Sequence, residues 1–226
     1  MKITHLLFDL DNTLYPSSSS MDAGISNRMF DCVCDFFNCD LETAKKLKAK
    51  NIVNYSTTLE WLRAEGLTDV EGFLAKVHPE NEADELQSQI GLREFLLSLD
   101  YPKSILTNAP HEHADRVLEK LGITDLFDTV TDIRDADFYG KPYAASYQAA
   151  LKKIEANIEN TLFLDDMQKY TDGWCALGGT AILIGEKNGR PLSPESKIIA
   201  NSDKSTWGKT IRLPSIYQLP EILEKM

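Results

Sequence analysis

The stretch Ile3-Thr4-His5-Leu6-Leu7-Phe8-Asp9-Leu10-Asp11-Asn12-Thr13 is a short, mostly apolar run that ends abruptly on acids and a hydroxyl. Two later runs end the same way. Ser104-Ile105-Leu106 closes on Thr107-Asn108, and Thr161-Leu162-Phe163-Leu164 closes on Asp165-Asp166. Lys141, in Gly140-Lys141-Pro142, falls between them. Short apolar runs that alternate with helical stretches read as buried strands of a parallel sheet. In such sheets the ligand site lies outside the carboxyl ends of the strands. Asp9, Asp11, Thr107, Asp165 and Asp166 are therefore delivered to one edge of one sheet. Carboxylates, a hydroxyl and a lysine gathered there suit a divalent cation and a phosphoryl group.

Outward from these runs, the pattern alternates between strand and helix. Helices are expected at 92–99, 111–121, 143–154 and 168–177, with strands at 103–106, 129–131, 161–164 and 180–184. This alternation predicts an α/β fold, a doubly wound parallel sheet. Between the first and second strands the pattern changes. Residues 21–38, 41–50, 56–65 and 70–77 read as helices with no strand among them. Around Cys32, Cys34 and Cys39, the residues Met29, Phe30, Val33, Phe36 and Phe37 recur at helical spacing, so the thiols are read as small core-filling groups. Lys45, Lys46 and Lys48 read as the exposed face of the second helix. Residues 186–209 are polar and irregular, and a loop or hairpin excursion is expected there. An edge strand at 211–213 and a final helix at 216–223 complete the expectation.

The chain has 226 residues, 42% hydrophobic and 26% charged, ordinary values for a globular protein able to bury a core. A formal charge of −11 argues against a nucleic acid polymer or an anionic membrane as a partner. A phosphorylated substrate must then be drawn by local charge against the field of the whole molecule. No apolar run approaches the roughly 18 residues of a membrane-spanning helix. The amino-terminal apolar stretch is short and ends on Asp9, so no signal peptide is expected. A cytoplasmic protein with reduced cysteines follows as the expectation.

Asp9-Leu10-Asp11-Asn12-Thr13, Thr107-Asn108, Gly140-Lys141-Pro142 and Asp165-Asp166 together resemble the four motifs of the haloacid dehalogenase superfamily, in order and along the whole chain. The resemblance implies a Rossmann-like core at 1–16 and 87–226 with an inserted helical cap at 17–86 covering the active site. It implies Asp9 as the nucleophile and Asp11 as the acid that protonates the leaving group and later activates water. Thr107, the Asn108 amide and Lys141 would bind phosphate, with Lys141 also holding the nucleophile. Mg²⁺ would be held by Asp9, the backbone carbonyl of Asp11 and Asp166, with Asp165 acting through water or as a structural acceptor. An Asp at position 11 is what a phosphatase or phosphomutase needs; dehalogenases of the superfamily lack an acid there. One departure stands out: relatives commonly read Asp-Asp-Ser-x-x-Asn, but this chain has Asp165-Asp166-Met167-Gln168-Lys169-Tyr170, with Thr171 or Asp172 as possible substitutes.

Within the superfamily, Phe8 to Pro16, Tyr55-Ser56-Thr57-Thr58-Leu59 and Thr107-Asn108-Ala109 with His113-Ala114 resemble the pyrimidine 5′-nucleotidase group. Related nucleotidases often carry a histidine at the place of His113. The resemblance implies a Mg²⁺-dependent hydrolase of small phosphomonoesters, acting through an aspartyl phosphate on nucleoside 5′-monophosphates. Tyr15 and Tyr55 are candidates to meet a base or ribose, against the alternative that both simply pack. The rival functional readings are a sugar-phosphate or other small-metabolite phosphatase or phosphomutase, and a catalytically weak regulatory binding protein of the same fold.

Overall fold

The computed structural model describes residues 2–16, 19–188 and 208–226, with backbone alone at 85 and 186–188. Its centre is a six-stranded parallel sheet: β1 (His5–Phe8), β2 (Lys103–Leu106), β3 (Thr129–Thr131), β4 (Thr161–Met167), β5 (Thr180–Asn188) and β6 (Thr210–Leu213). The order across the sheet is β3-β2-β1-β4-β5-β6. β1 therefore sits centrally, with β2 and β4 as its neighbours. The three runs read from the sequence as site-bearing strands are adjacent.

Side chains alternate across the sheet, as the period of two requires. Leu6, Phe8, Ile105, Leu162, Leu164 and Ile182 enter one buried layer. That layer packs against α5 (Leu92–Ser98), α6 (His111–Leu121) and α9 (Leu219–Leu223). Leu7, Leu106, Phe163 and Ala181 enter the other, under α7 (Ala144–Lys153) and α8 (Gln168–Ala176). Tyr147, Phe163 and Trp174 form its aromatic centre, with ring centroids 5.3 to 5.6 Å apart. Helices on both faces of an all-parallel sheet give the expected doubly wound fold.

Between β1 and β2 stand α1 (Ser20–Phe37), α2 (Leu41–Asn51), α3 (Thr58–Ala64) and α4 (Val70–Val77). Each begins on a side-chain cap: Ser19, Asp40, Thr57 and Asp69 accept from backbone amides three residues on. These helices have their own buried cluster around Val33, Ala44, Trp61, Leu62 and Val77. Phe37 stacks on Trp61 at 5.3 Å. Cys32 is buried in it and Cys34 and Cys39 pack against it, so the thiols serve as core groups. A short 3-10 turn, Glu82–Glu85, leads back to the core.

Several boundaries differ from expectation. β4 continues to Met167 rather than stopping at 164, with a register shift between Asp165 and Met167. The strand carries the buried Asp165 because both of its carboxylate oxygens have partners, described below. β5 runs to Asn188, which places the start of the expected irregular stretch within a strand. Residues 189–207 of that stretch lie outside the described residues. The final helix is a 3-10 turn, Ile216–Gln218, followed by α9.

Candidate active site

The carboxyl ends of β2, β1 and β4 meet at one edge of the sheet. Asp9 follows β1 directly. Asn12 then takes a left-handed conformation, φ 64°, which turns the chain so that Asp11 stays at the same edge. Thr107 follows β2, Asp165 and Asp166 lie in the last turnings of β4, and Lys141 arrives from the loop between β3 and α7. The structure thus brings Asp9, Asp11, Thr107, Asn108, Lys141, Asp165 and Asp166 together at one edge.

Lys141 is the hub. Its Nζ lies 2.5 Å from Asp9 Oδ1 and 2.7 Å from Asp165 Oδ2. Its side chain is 1% exposed, so both pairs form out of water. The other oxygen of Asp9 accepts from the Thr13 hydroxyl at 3.1 Å. The other oxygen of Asp165 accepts from the Met167 amide at 2.8 Å. Asp165 is thereby committed on both sides, whereas Asp166 lines the cavity. Asn108 does more than present an amide. Its side chain accepts from the Lys141 N–H at 2.6 Å and donates to the Lys141 carbonyl at 3.1 Å. A Cβ at Gly140 would collide with the Asn108 side chain and with Ile133, so the residue before Lys141 has to be glycine. The Thr107 hydroxyl oxygen accepts from the Ala109 amide at 3.0 Å, which leaves its own proton available.

The electrostatics follow from burial. Burial pushes Asp9 above the usual carboxylate range, opposed by Lys141 and assisted by Asp11. Burial pushes Asp165 well up for the same reason, again opposed by Lys141. Burial alone would lower Lys141, but Asp165 and Asp9 outweigh it and hold the ammonium above the usual lysine range. One cation among these carboxylates leaves the edge short of positive charge. Oxygens of Asp9, Asp165 and Asp166 lie within 4.8 Å of one another. Three buried hard oxygen donors with surplus negative charge fit a divalent cation of the Mg²⁺ type.

A second network, around Asp11, was only partly legible in the sequence. Asp11 Oδ1 faces His113 Nε2 at 2.7 Å and accepts from the Tyr15 hydroxyl. His113 Nδ1 faces Glu82 Oε1 at 2.8 Å. Carboxylate oxygens on both ring nitrogens require both to donate, so the ring is an imidazolium. Burial opposes that charge, but Asp11 and Glu82 raise His113 to about 10. Burial likewise opposes ionisation of Asp11, and His113 outweighs it to hold the carboxyl below its usual range. Glu82 also meets His78 Nδ1 at 3.0 Å and Arg116 at 2.7 Å. His78, Glu82 and His113 lie close enough to hold a metal ion. Arg116 and the nearby Arg28 instead supply Glu82 with positive charge, and the group reads as a hydrogen-bonded network. His113 and Arg116, three apart on α6, share a face. Glu82 carried no local signal, and Tyr15 was read as a group for a base or ribose rather than as a partner of Asp11.

The edge opens into a cavity of about 320 Å³. Its core wall includes Asp9, Asp11, Thr107, Asn108, Lys141 and Asp166. Its other wall comes from the helical block, with Ile25, Met29, Ile52, Leu59, Phe73 and Leu74. Tyr15 and Tyr55 do not line it: Tyr15 is buried against Asp11, and Tyr55 packs on the helical cluster. Lys48, expected on an exposed face, does line it. The departure at 167–170 is supported by Asp172, one of the two substitutes expected, and by Tyr147, which was not expected there. The Tyr147 hydroxyl donates to the Tyr170 carbonyl at 2.6 Å, and Gln168 bonds Asp172 at 2.6 Å. Among the described residues, the Thr171 hydroxyl bonds within its own helix, donating to the Gln168 carbonyl at 3.0 Å.

Comparison with known proteins gives a consistent picture. Phosphate metabolism protein 8 of Saccharomyces cerevisiae is 25% identical over 239 aligned positions, covering 96% of this chain and 71% of the yeast protein. A HAD-hydrolase of Bacillus subtilis bound to magnesium superposes with a TM-score of 0.60 at 17% identity, covering 99% of this chain and 100% of that one. L-2-haloacid dehalogenase from Xanthobacter autotrophicus gives 0.60 at 16%, covering 99% of each chain. A HAD phosphatase from Thermococcus onnurineus gives 0.56 at 19%, covering 99% and 98%. Such identities speak for the fold alone. The family model for haloacid dehalogenase-like hydrolases matches residues 3–168, most of the chain and every motif described above. This chain belongs to the haloacid dehalogenase-like hydrolases.

Proposed function

We propose that this hydrolase cleaves phosphomonoesters, with nucleoside 5′-monophosphates as the first substrate class and residues 17–86 as a cap over a core of 1–16 and 87–226. The observation that carries the reading is Asp11. It lines the cavity two residues after Asp9 and is held there by His113 and Tyr15. A halide leaves without a proton, whereas an alkoxide needs one, and Asp11 is placed to supply it.

In this mechanism the Asp9 carboxylate attacks phosphorus and the bond to the leaving oxygen breaks. The leaving oxygen takes a proton from Asp11. A dianionic phosphate beside Asp11 raises its proton affinity and offsets the depression by His113. Asp11, now a carboxylate, removes a proton from the water that attacks the aspartyl phosphate. That step releases inorganic phosphate and restores both acids. Lys141 holds Asp9 in place and neutralises phosphate charge, and the free proton of Thr107 donates to a phosphate oxygen. Asp165 keeps Lys141 aligned. Mg²⁺ held by Asp9, Asp166 and the Asp11 carbonyl would offset the repulsion between nucleophile and phosphate.

A small-metabolite or sugar phosphatase is the second reading. It is favoured by the absence of Tyr15 and Tyr55 from the cavity lining, since these were the aromatic groups expected to meet a base. Phe73 and Tyr170, which do line it, keep the nucleotide reading first. The buried pairs of Lys141 speak against a binding protein that has lost its chemistry, because they fit a reactive site. Phosphate release from p-nitrophenyl phosphate, with and without Mg²⁺, tests the reaction. A panel of nucleoside monophosphates and sugar phosphates then ranks substrates. Halide release from 2-chloropropionate with no phosphate release from any ester overturns the proposal.

A further inference from the structure

Two lysines of the cavity are not absorbed by this chemistry. Lys48 comes from α2 in the helical block and Lys169 from the first turn of α8 on the core, and both line the same cavity. Lys141 has two carboxylates in contact. Lys48 and Lys169 have none within 4.0 Å among the described residues. Lys48 Nζ lies 4.6 Å over the ring of Phe30. Lys169 Nζ donates to the Ser56 carbonyl at 2.9 Å and lies 4.7 Å from the ring of Tyr170. Burial, and then the charge of Lys169, hold the Lys48 ammonium below the usual lysine range. Like charges that share a half-buried space repel, and the protein around them carries a net −11. Acids are abundant in this chain, yet among the described residues neither ammonium takes one as a partner.

We propose that Lys48 and Lys169 form a second anion subsite, so that, among nucleoside 5′-monophosphates and other phosphomonoesters, those whose leaving group also carries a carboxylate or a second phosphate bind more tightly than those with a neutral one. The inference rests on the phosphomonoesterase reading for the inner end of the cavity and deepens it at the outer end. An ammonium offers donors and no acceptor, so neutral hydroxyl-bearing ends gain less there than anions. Because one lysine belongs to the helical block and the other to the core, an anion between them also bridges the two walls.

The test separates binding from turnover. Pentylphosphonate, 5-phosphonopentanoate and pentane-1,5-bisphosphonate are non-hydrolysable and share a spacer. Each, with shorter and longer homologues, is titrated calorimetrically into the Mg²⁺-loaded protein. At the best spacer length, one or both doubly anionic ligands should bind at least about tenfold tighter than the singly anionic one. The carboxylate and phosphonate arms identify the preferred anion. The gap should shrink below about threefold in Lys48→Gln/Lys169→Gln and persist in Lys48→Arg/Lys169→Arg, with near-ultraviolet circular dichroism unchanged in both. Equal binding of the three ligands at every length, or a gap that survives the Gln variant, overturns the subsite. Hydrolysis of the matched phosphate esters is followed in parallel. A lysine-dependent gap without hydrolysis of any ester leaves the subsite standing and removes the phosphatase reading; hydrolysis without a gap does the reverse.

Discussion

The two walls of the cavity are built differently. On the core wall the charged groups are tied to one another out of water: Lys141 to Asp9 and Asp165, Asp11 to His113, His113 to Glu82. On the helical wall the groups are mainly apolar, Ile25, Met29, Ile52, Phe73 and Leu74; of its charges, Asp22 accepts from the Asn12 side chain at 3.2 Å, and Lys48 has no carboxylate in contact among the described residues. Interlocked charges hold a fixed geometry, which suits a step common to every phosphomonoester. Apolar side chains with one loosely held cation can be exchanged at little cost to that step, which suits discrimination among leaving groups. Substitutions on the core wall should therefore cost rate on all substrates, and those on the helical wall should change their ranking.

The largest effect is expected for Asp9→Asn. Turnover of every ester should fall on the order of 10⁴-fold or more, measured on a variant whose circular dichroism matches the parent. Residual activity near the parental level in a folded, Mg²⁺-loaded variant removes Asp9 as nucleophile. Asp11→Asn should cost roughly 10²–10⁴-fold on alkyl phosphates. With p-nitrophenyl phosphate its first step should suffer less, because that leaving group needs little help. Rapid-quench detection of accumulated phosphoenzyme reads the difference, and equal slowing of both steps on both esters contradicts the acid/base role.

Asp166 and Asp165 sharpen the comparison within the core wall itself. Asp166→Asn should raise the Mg²⁺ concentration needed for half-maximal activity by roughly 10–100-fold. Asp165→Asn should shift it less and lower stability more, since Lys141 and the Met167 amide lose a charged partner. Activity titrations with Mg²⁺, together with urea unfolding of both variants, decide the order.

The His113 network gives a pH signature. Its folded-state value of about 10 stands above the ordinary 6.5. The stability it contributes is therefore complete below about pH 6.5 and lost as the pH rises through about 10. Urea unfolding between these limits should show a decline in the parent that is absent in His113→Gln. Parallel curves for the two proteins would mean that the ring is not charged. On the helical wall, Met29→Ala is expected to have the smallest effect. It should lower kcat/KM for a nucleoside monophosphate roughly three- to tenfold and for p-nitrophenyl phosphate less. Equal losses on the two would dissolve the distinction between the walls.

Much of the core wall was legible from the chain. Strand ends are local features, and Asp9, Asp11, Thr107, Lys141 and the Asp165-Asp166 pair each sit at a recognisable one. Asn108 was read for its amide, but its side chain clasps Lys141, a contact across 33 residues of sequence. Lys48 was read as exposed because helical spacing shows only which face is opposite the apolar stripe, and here a cavity lies against that face. Tyr15 was offered to a substrate, yet its hydroxyl is taken by Asp11. The acids of β4 were expected to end the strand. Once Lys141 and the Met167 amide satisfy Asp165, the strand continues past them.

Sequence alone determined the α/β class, the inserted helices and the kinds of groups at the carboxyl edge, because strand and helix periods and polar strand ends are written in neighbouring residues. Tertiary structure decided which charge meets which. Asp9 and Lys141 are 132 residues apart, and Asp11 and His113 are 102 apart. No local pattern encodes such pairs; burial enforces them, since a charge taken out of water at this edge is stable only beside its partner. The same reason made the opposite wall unreadable from the chain, because its lining depends on how four helices fold back over a sheet they leave after β1 and rejoin only at α5.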